Sequence, residues 1–259
     1  MALGRRKVQL EDADAWVFNR MAHAYDARPD YPQALIDALC SLAGPKGRVL
    51  DLGAGIGHLS LPLAERGCSV TAVEPARAML DVLESRARES GHLVRLIHGT
   101  AESVPLESAS FDLVLIADAL HFMDAELTGR EVARLLRAGG QLAVVTSTLA
   151  QTSFMRDLAE LVASAAPRRI RATQQTSRQL FSVGLCTALK TRSFQDATPI
   201  SFDRLDRILD TISFVGPAMN AELRTAFRER VRALELPPEW ARELVLTSGT
   251  RHRQMRHSK

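Results

Sequence analysis

Short apolar runs alternate with helical patterns through the middle of the chain. The runs are rich in β-branched side chains, which is typical of strands buried on both faces, and they begin near residues 49, 69, 94, 111 and 141. Residues 131–137, before the last run, have helical spacing instead. Strands that alternate with helices in this way predict a parallel sheet with right-handed crossovers.

The two ends of the chain follow other patterns. Residues 1–47 have helical spacing and no strand pattern. Residues 151–259 are mixed, with helices predicted over 154–166, 202–214 and 221–234 and strands over 185–194 and 244–250. The pattern therefore divides the chain into 1–47, 48–150 and 151–259.

The composition is that of an ordinary globular protein, with 46% hydrophobic and 24% charged residues among 259. The N-terminus has no apolar signal core and no run is long enough to cross a bilayer, so we expect a cytoplasmic protein that does not enter membranes. The net charge of +3 comes partly from the last nine residues and from 167–171. Such runs are usually solvated, so we expect no nucleic-acid partner. Three widely spaced cysteines predict free, buried thiols.

Three glycines stand at alternate positions after the first predicted strand, in the run Asp51-Leu-Gly53-Ala54-Gly55-Ile-Gly57. Glycine allows a sharp turn and lets a ligand approach bare main chain beside the start of a helix. A dinucleotide fingerprint would need its last glycine at His58, and a P-loop would need a lysine that the run lacks. The run predicts a nucleotide-binding turn of another kind.

Glu74 ends the second predicted strand, 23 residues after Asp51. In nucleotide-binding βαβ units, an acidic residue about 20 residues past the glycine turn accepts hydrogen bonds from the ribose hydroxyls. We predict this role for Glu74.

Three further segments follow predicted strands or helices: Gly99-Thr-Ala-Glu-Ser-Val-Pro-Leu106, Ala117-Asp-Ala-Leu-His-Phe-Met-Asp124 and the turn Ala138-Gly-Gly140. In this order, with the glycine run and Glu74, they resemble the motifs of class I S-adenosylmethionine (AdoMet) dependent methyltransferases. Thr100 stands where the family usually has Asp, so the role of acidic acceptor for the adenine amino group either passes to Glu102 or is lost.

The resemblance implies an α/β fold: a doubly wound, mostly parallel, Rossmann-like sheet of seven strands with a helical lid. Residues 1–47 would form a helical cap over the cofactor and 48–150 the AdoMet-binding core. Residues 151–259 would supply the substrate lid helices and the last two strands. Ligands of such sheets bind beyond the carboxyl ends of the strands.

The resemblance also implies AdoMet as the cofactor, with S-adenosylhomocysteine as its product. The implied binding residues are Tyr25, Arg28, Asp51, Gly53, Ala54, Gly55, Gly57, Glu74, Pro75, Met79, Thr100, Ala101, Glu102 and Ala117. Met79 would pack on the adenine ring, although a core role is equally open to methionine. Arg28 would pair with the methionine carboxylate, and the alternative for Tyr25 and Arg28 is a plain surface turn.

His121 and Asp118 are the candidate catalytic residues. The unperturbed pKa of a histidine, about 6.5, suits proton removal near neutrality, and the family places this segment against the acceptor. The alternatives are a structural role in the pocket wall for His121 and an N-cap for Asp118.

We expect a small-molecule acceptor that is methylated at oxygen. Lid residues Phe154, Met155, Phe181, Phe202, Phe214, Val215 and Met219 could line its pocket or form core, and Arg168, Arg169 and Arg171 form a charged run. The other open functions are a cyclase or rearrangement enzyme that retains AdoMet, an AdoMet sensor, and an RNA or protein methyltransferase. The histidines have no metal-ligand spacing, and there is no Gly-x-Ser-x-Gly elbow, so we predict neither a metal site nor a hydrolase.

Overall fold

The computed structural model of the protein describes residues 17–149, 152–165, 173–182, 186–212, 215 and 219–252. The strands are β1 Arg48–Leu52, β2 Ser69–Glu74, β3 Val94–His98, β4 Phe111–Ala117, β5 Leu136–Leu149, β6 Cys186–Pro199 and β7 Glu239–Arg251. The α-helices are α1 Gln33–Ala43, α2 Ser60–Glu65, α3 Arg77–Ser90, α4 Ala125–Leu135, α5 Ser153–Ala165, α6 Thr173–Ser182, α7 Phe202–Asp210 and α8 Ala221–Arg232. Three 3₁₀ helices cover Val17–Arg20, Ala22–Ala27 and Leu120–Phe122.

The strands form one sheet in the order β3-β2-β1-β4-β5-β7-β6. Strands β3, β2, β1, β4 and β5 are parallel, and β7 runs antiparallel to both of its neighbours. The chain changes direction across the sheet between β1 and β4, where the order passes from one half to the other. The predicted fold class, a mostly parallel α/β sheet of seven strands, is confirmed.

Successive side chains of β1 enter different layers of the core. Val49 belongs to a buried cluster with Leu35 of α1 and Leu63 of α2. Leu50 belongs to a second cluster with Val132 of α4 and Leu180 of α6. Helices therefore cover both faces of the sheet, and this rigid frame fixes where each strand ends.

Several element boundaries differ from the prediction. Helix α4 ends at Leu135, and Leu136 has an extended backbone and pairs with Phe111, so Arg137 lies in β5 and not in a helix. Strands β6 and β7 are longer than predicted because they pair with each other from Cys186 and Arg251 to Pro199 and Glu239. Pairing with a neighbouring strand thus extends both beyond their apolar parts.

Helices α5, α7 and α8 enclose a buried apolar cluster of their own. It includes Phe154, Met155 and Val215, with Phe202 and Met219 packed against it, while Phe181 joins the cluster on the sheet. In the structure these candidate pocket residues therefore form core. Phe214, Arg168, Arg169, Arg171 and residues 253–259 lie outside the described residues.

All three cysteines are free, as predicted, but only Cys68 is buried; Cys40 and Cys186 are half-buried. Burial raises the pKa of the Cys40 thiol to about 11, and the pKa of Cys186 is raised in the same way. None of the described helices is long and apolar enough to cross a membrane.

Candidate active site

The glycine run forms a tight corner at the carboxyl end of β1. The N–H groups of Gly53 and Ala54 both donate to the carbonyl oxygen of Val73, at 2.8 and 3.1 Å. Gly53, Gly55 and Gly57 have φ angles of +74°, +56° and +85°. This left-handed backbone is favourable for glycine, and it folds the loop against the end of β2.

The three glycines have different surroundings. A Cβ atom on Gly53 would lie 2.6 Å from the Cβ of Ala119, and one on Gly57 would lie 2.2 Å from Cδ1 of Leu83. A Cβ on Gly55 would meet only Cε1 of Tyr25, at 3.8 Å. Packing therefore requires the outer two glycines, whereas the middle one presents bare main chain to the Tyr25 ring.

Two buried carboxylates stand beside this corner. Glu74 accepts hydrogen bonds from the N–H groups of Gly55, at 2.8 Å, and Ala76, at 2.9 Å. Asp51 accepts one from the hydroxyl of Ser60 at 2.6 Å. Burial raises the pKa of Glu74 to about 7, against the effect of its two N–H donors, and raises that of Asp51 to about 6.

Tyr25 and Arg28 lie over the corner, at the end of the 3₁₀ helix Ala22–Ala27. The guanidinium carbon of Arg28 lies 4.8 Å from the centroid of the Tyr25 ring. Arg28 also donates from Nε to the hydroxyl of Thr211, at 2.8 Å, and from Nη2 to its carbonyl, at 3.0 Å. Arg28 thereby ties this segment to the end of α7, which a simple surface turn would not do.

Asp118 follows β4 with a φ angle of +49°, which is unusual for a residue other than glycine. Its Oδ1 accepts the Ser147 N–H at 2.7 Å, and its Oδ2 accepts the hydroxyls of Ser147, at 2.6 Å, and Tyr31, at 3.0 Å. Three donors hold the carboxylate in place. The N-cap of α4 is Asp124, so the capping alternative for Asp118 is wrong.

His121 lies three residues further on, in the 3₁₀ helix Leu120–Phe122. Its Nδ1 atom is buried and has no hydrogen-bond partner among the residues that the structure describes. Burial lowers the pKa of His121; the charge of Asp118 opposes this shift and that of Arg28 adds to it. The imidazole is therefore neutral near pH 7 and has a free nitrogen.

The other candidate residues surround the same edge of the sheet. Met79 is 1% exposed and shares a buried cluster with Met21 and Ile56. Ala101 is buried, and the carboxylate of Glu102 accepts the N–H of Asp124 at 2.9 Å. Pro75, Thr100 and Ala117 are partly exposed. A contact of these residues with a cofactor stays a prediction.

Sequence reasoning missed four residues that shape this edge: Tyr31, Ser147, Thr211 and Phe122. Phe122 lies inside the segment Ala117–Asp124 that carried the resemblance, and Tyr31 lies three residues after Arg28, but nothing in the spacing marked either residue. Ser147 and Thr211 are 29 and 183 residues from their hydrogen-bond partners, so only the folded chain reveals them. Among the described residues, no group of three or more His, Cys, Asp or Glu side chains could hold a metal ion.

The strand order and the glycine corner together define the Rossmann-like fold of class I methyltransferases. Residues 50–144 match the family described as "Methyltransferase domain". An uncharacterized methyltransferase of Mycobacterium tuberculosis is 41% identical over 164 residues, which are 62% of this chain and 63% of that protein. Residues 50–144 are therefore similar to a methyltransferase domain, and the fold around them is that of class I AdoMet-dependent methyltransferases.

Two further comparisons support less: one covers about half of each chain, and the other concerns the fold. The ubiquinone biosynthesis O-methyltransferase of Methylocella silvestris is 37% identical over 124 residues, 47% of this chain and 48% of that one. The crystal structure of YcgJ from Bacillus subtilis superposes with a TM-score of 0.60 at 21% identity, covering 86% of this chain and all of that one. At this identity the likeness shows the fold alone. Since the chain spans less than two thirds of its curated relatives' length, its activity and substrates need a proposal of their own.

Proposed function

We propose that this protein binds AdoMet and transfers its methyl group to a small-molecule acceptor, at an oxygen atom. The observation that carries the proposal is the bare main chain at Gly55, which faces the Tyr25 ring and lies within hydrogen-bond distance of the Glu74 carboxylate. A site of this kind fits a sulfonium nucleoside, which needs close backbone approach at one end and a carboxylate at its ribose.

The proposed cofactor residues have different chemical roles. Glu74 would accept the ribose hydroxyls with the lone pairs that Gly55 and Ala76 leave free. Arg28 would bind the methionine carboxylate, since Thr211 engages only Nε and one N–H of Nη2. The remaining residues of the proposed site are Tyr25, Asp51, Gly53, Ala54, Gly57, Pro75, Met79, Thr100, Ala101, Glu102 and Ala117.

AdoMet, when bound, supplies a methyl group already activated by positive sulfur. The chain's main tasks are then to align the acceptor with that methyl group and to exclude water. Tyr25 and Arg28 cover the corner from above, and the hydrogen bonds that Arg28 donates to Thr211 bring the end of α7 next to it. This cover supports the exclusion of water.

His121 would remove the proton from the acceptor hydroxyl at its Nδ1 atom. Burial keeps the imidazole neutral by lowering its pKa, and Nδ1 has no competing partner in the described part of the chain. The nearby charge of Asp118 would stabilise the imidazolium that forms. Because Ser147 and Tyr31 already hold Asp118, we assign it an electrostatic role and leave proton removal to His121.

Two observations favour oxygen in a small molecule. The related Methylocella protein is named as an O-methyltransferase, and a free histidine nitrogen suits a hydroxyl that must lose its proton. The test is incubation of the purified protein with AdoMet and a set of hydroxylated small molecules, followed by mass spectrometry. We expect S-adenosylhomocysteine and a product heavier by one CH₂ unit. A changed product without S-adenosylhomocysteine would favour a cyclase, and cofactor turnover only on added RNA or protein would contradict a small acceptor.

A further inference from the structure

Aromatic side chains from three segments form a continuous row beside the candidate site. The ring of Phe18 lies edge-on to Tyr25, with centroids 6.5 Å apart, and edge-on to Phe122 at 4.9 Å. The Phe122 ring in turn lies 3.9 Å from that of His121. We call Tyr25, Phe18, Phe122 and His121 the aromatic row.

The row joins the glycine corner to the protein surface. At its inner end, Tyr25 is the side chain that faces Gly55. At its outer end, Phe122 is 44% exposed, one of the few large apolar side chains in the described chain with that much exposure. The 3₁₀ turn that holds Phe122 sits on the corner as well, because Met123 Cε would lie 3.2 Å from a Cβ on Gly53.

Two groups of the aromatic row, an apolar ring and a polar nitrogen, are only partly satisfied by packing. The Phe122 ring keeps much of its apolar surface in water, although burial of such a ring is favourable. Beside it, Nδ1 of His121 is buried without a hydrogen-bond partner among the described residues, which costs free energy unless a ligand supplies one. An apolar ring and a neighbouring polar nitrogen thus each lack an interaction that a bound molecule could supply.

The charged groups near His121 limit the chemistry of the acceptor that would bind there. Asp118 already accepts three hydrogen bonds, so its oxygens have little capacity for a further donor from the acceptor. The charge of Asp118 raises the pKa of His121 and the smaller effect of Arg28 lowers it, but burial outweighs both and the pKa is lowered overall. The neutral imidazole therefore suits an acceptor whose hydroxyl has a proton to give.

We infer that the acceptor is a planar aromatic alcohol of the phenol class, which stacks on Phe122 and directs its hydroxyl to Nδ1 of His121. The inference rests on the proposed function and narrows it, because it names the substrate class and makes Phe122 a specificity-determining residue. The step it implies is balanced: the phenolic proton passes to Nδ1, and the oxygen forms a bond to the methyl carbon as the carbon–sulfur bond breaks.

The test uses the full chain saturated with S-adenosylhomocysteine, whose binding is measured first by calorimetry. The probes are 2-naphthol and its saturated analogue decahydro-2-naphthol, which share a carbon skeleton and a hydroxyl group and differ in aromaticity. Their affinities are measured by ligand-observed NMR for the unchanged protein, Phe122→Leu, Phe122→Tyr and the distant surface control Leu223→Ala, where Leu223 is 60% exposed on α8.

We expect 2-naphthol to bind more tightly than its saturated analogue. Phe122→Leu should weaken 2-naphthol binding about 3- to 10-fold, the range for loss of one aromatic pair, while Phe122→Tyr and Leu223→Ala should leave it nearly unchanged. Equal binding of the two probes, binding of neither, or no effect of Phe122→Leu would overturn the inference and leave the proposed function standing. Failure of S-adenosylhomocysteine itself to bind would overturn both.

Discussion

The hydroxyl of Tyr31 donates a hydrogen bond to Oδ2 of Asp118 at 3.0 Å, and this bond joins the N-terminal segment to the end of β4. Burial raises the pKa of Tyr31 well above its usual value, and the neighbouring Asp118 charge adds to the shift, so the phenol remains a donor. The bond helps to hold a carboxylate whose backbone is in the left-handed region. Asp118 is therefore positioned from two sides, by Tyr31 and by Ser147.

This arrangement predicts the effect of Tyr31→Phe. The substitution removes one buried hydrogen bond and should lower the free energy of unfolding by about 1 kcal/mol. It should also move the pKa of His121, measured by NMR titration, because the nearby carboxylate would lose a fixing contact. A variant that is destabilised with an unmoved His121 pKa would mean that Tyr31 is purely structural.

Glu74→Ala should weaken binding of AdoMet by about 1–3 kcal/mol, because two ribose hydroxyls would lose their acceptor. Calorimetry measures the change. Glu107→Ala, at an exposed position in the loop before β4, is the matched control and should bind as the unchanged protein does. Equal affinity in both variants would remove Glu74 from the cofactor site.

The raised pKa of Glu74 predicts a pH dependence of stability. Its pKa rises from an ordinary 4.5 to about 7 in the folded chain, so the folded state binds the proton more tightly. The resulting stabilisation is fully present below pH 4.5 and is lost as the pH rises through 7. Between pH 5 and pH 8, the free energy of unfolding of the apo protein, measured with denaturant, should therefore fall by about 2 kcal/mol relative to that of Glu74→Gln. A constant difference between the two proteins would contradict this reading of the burial.

Gly57→Ala should destabilise the fold more than Gly67→Ala does. Both glycines have positive φ, +85° and +83°, but a Cβ on Gly57 would meet Leu83 at 2.2 Å, while one on Gly67 would meet nothing within 4 Å. Backbone strain is then similar, at about 1–2 kcal/mol. Overpacking at Gly57 should lower the free energy of unfolding, measured with denaturant, by about 1–3 kcal/mol more. Equal losses would show that the corner can relax around the added methyl group.

His121→Ala should slow methyl transfer to a hydroxyl by ~10²-fold or more if Nδ1 takes the proton. His121→Gln keeps a polar side chain but cannot act as a base, so it should be slowed as much. In the unchanged protein the rate should fall as the pH drops below the lowered pKa of His121. A Gln variant with a near-normal rate would assign His121 to the pocket wall.

The sequence predicted the sheet well because each core strand has its own apolar run, and β2, β3 and β4 begin at residues 69, 94 and 111, where their runs begin. The glycine corner was predicted equally well, because its residues are adjacent in the chain. The ends of β6 and β7 were not, because pairing between the two strands sets their length. Long polar strands of this kind have few apolar positions from which their ends could be predicted.

The site was predictable only where its chemistry is local. His121 and Glu74 could be chosen from motifs, but the partners that determine what they do come from distant segments. Thr211 reaches Arg28 across 183 residues and Tyr31 reaches Asp118 across 87, and no pattern in the chain links either pair. The exposed ring of Phe122 is likewise a property of the folded surface.

Equilibrium dialysis of the purified protein against labelled AdoMet measures whether the glycine corner binds this cofactor. We expect saturable binding of one molecule per chain, which is lost when Gly55→Val places a bulky side chain against Tyr25 while the variant stays folded by circular dichroism. No binding to the unchanged protein at millimolar AdoMet, or undiminished binding to folded Gly55→Val, would contradict this expectation.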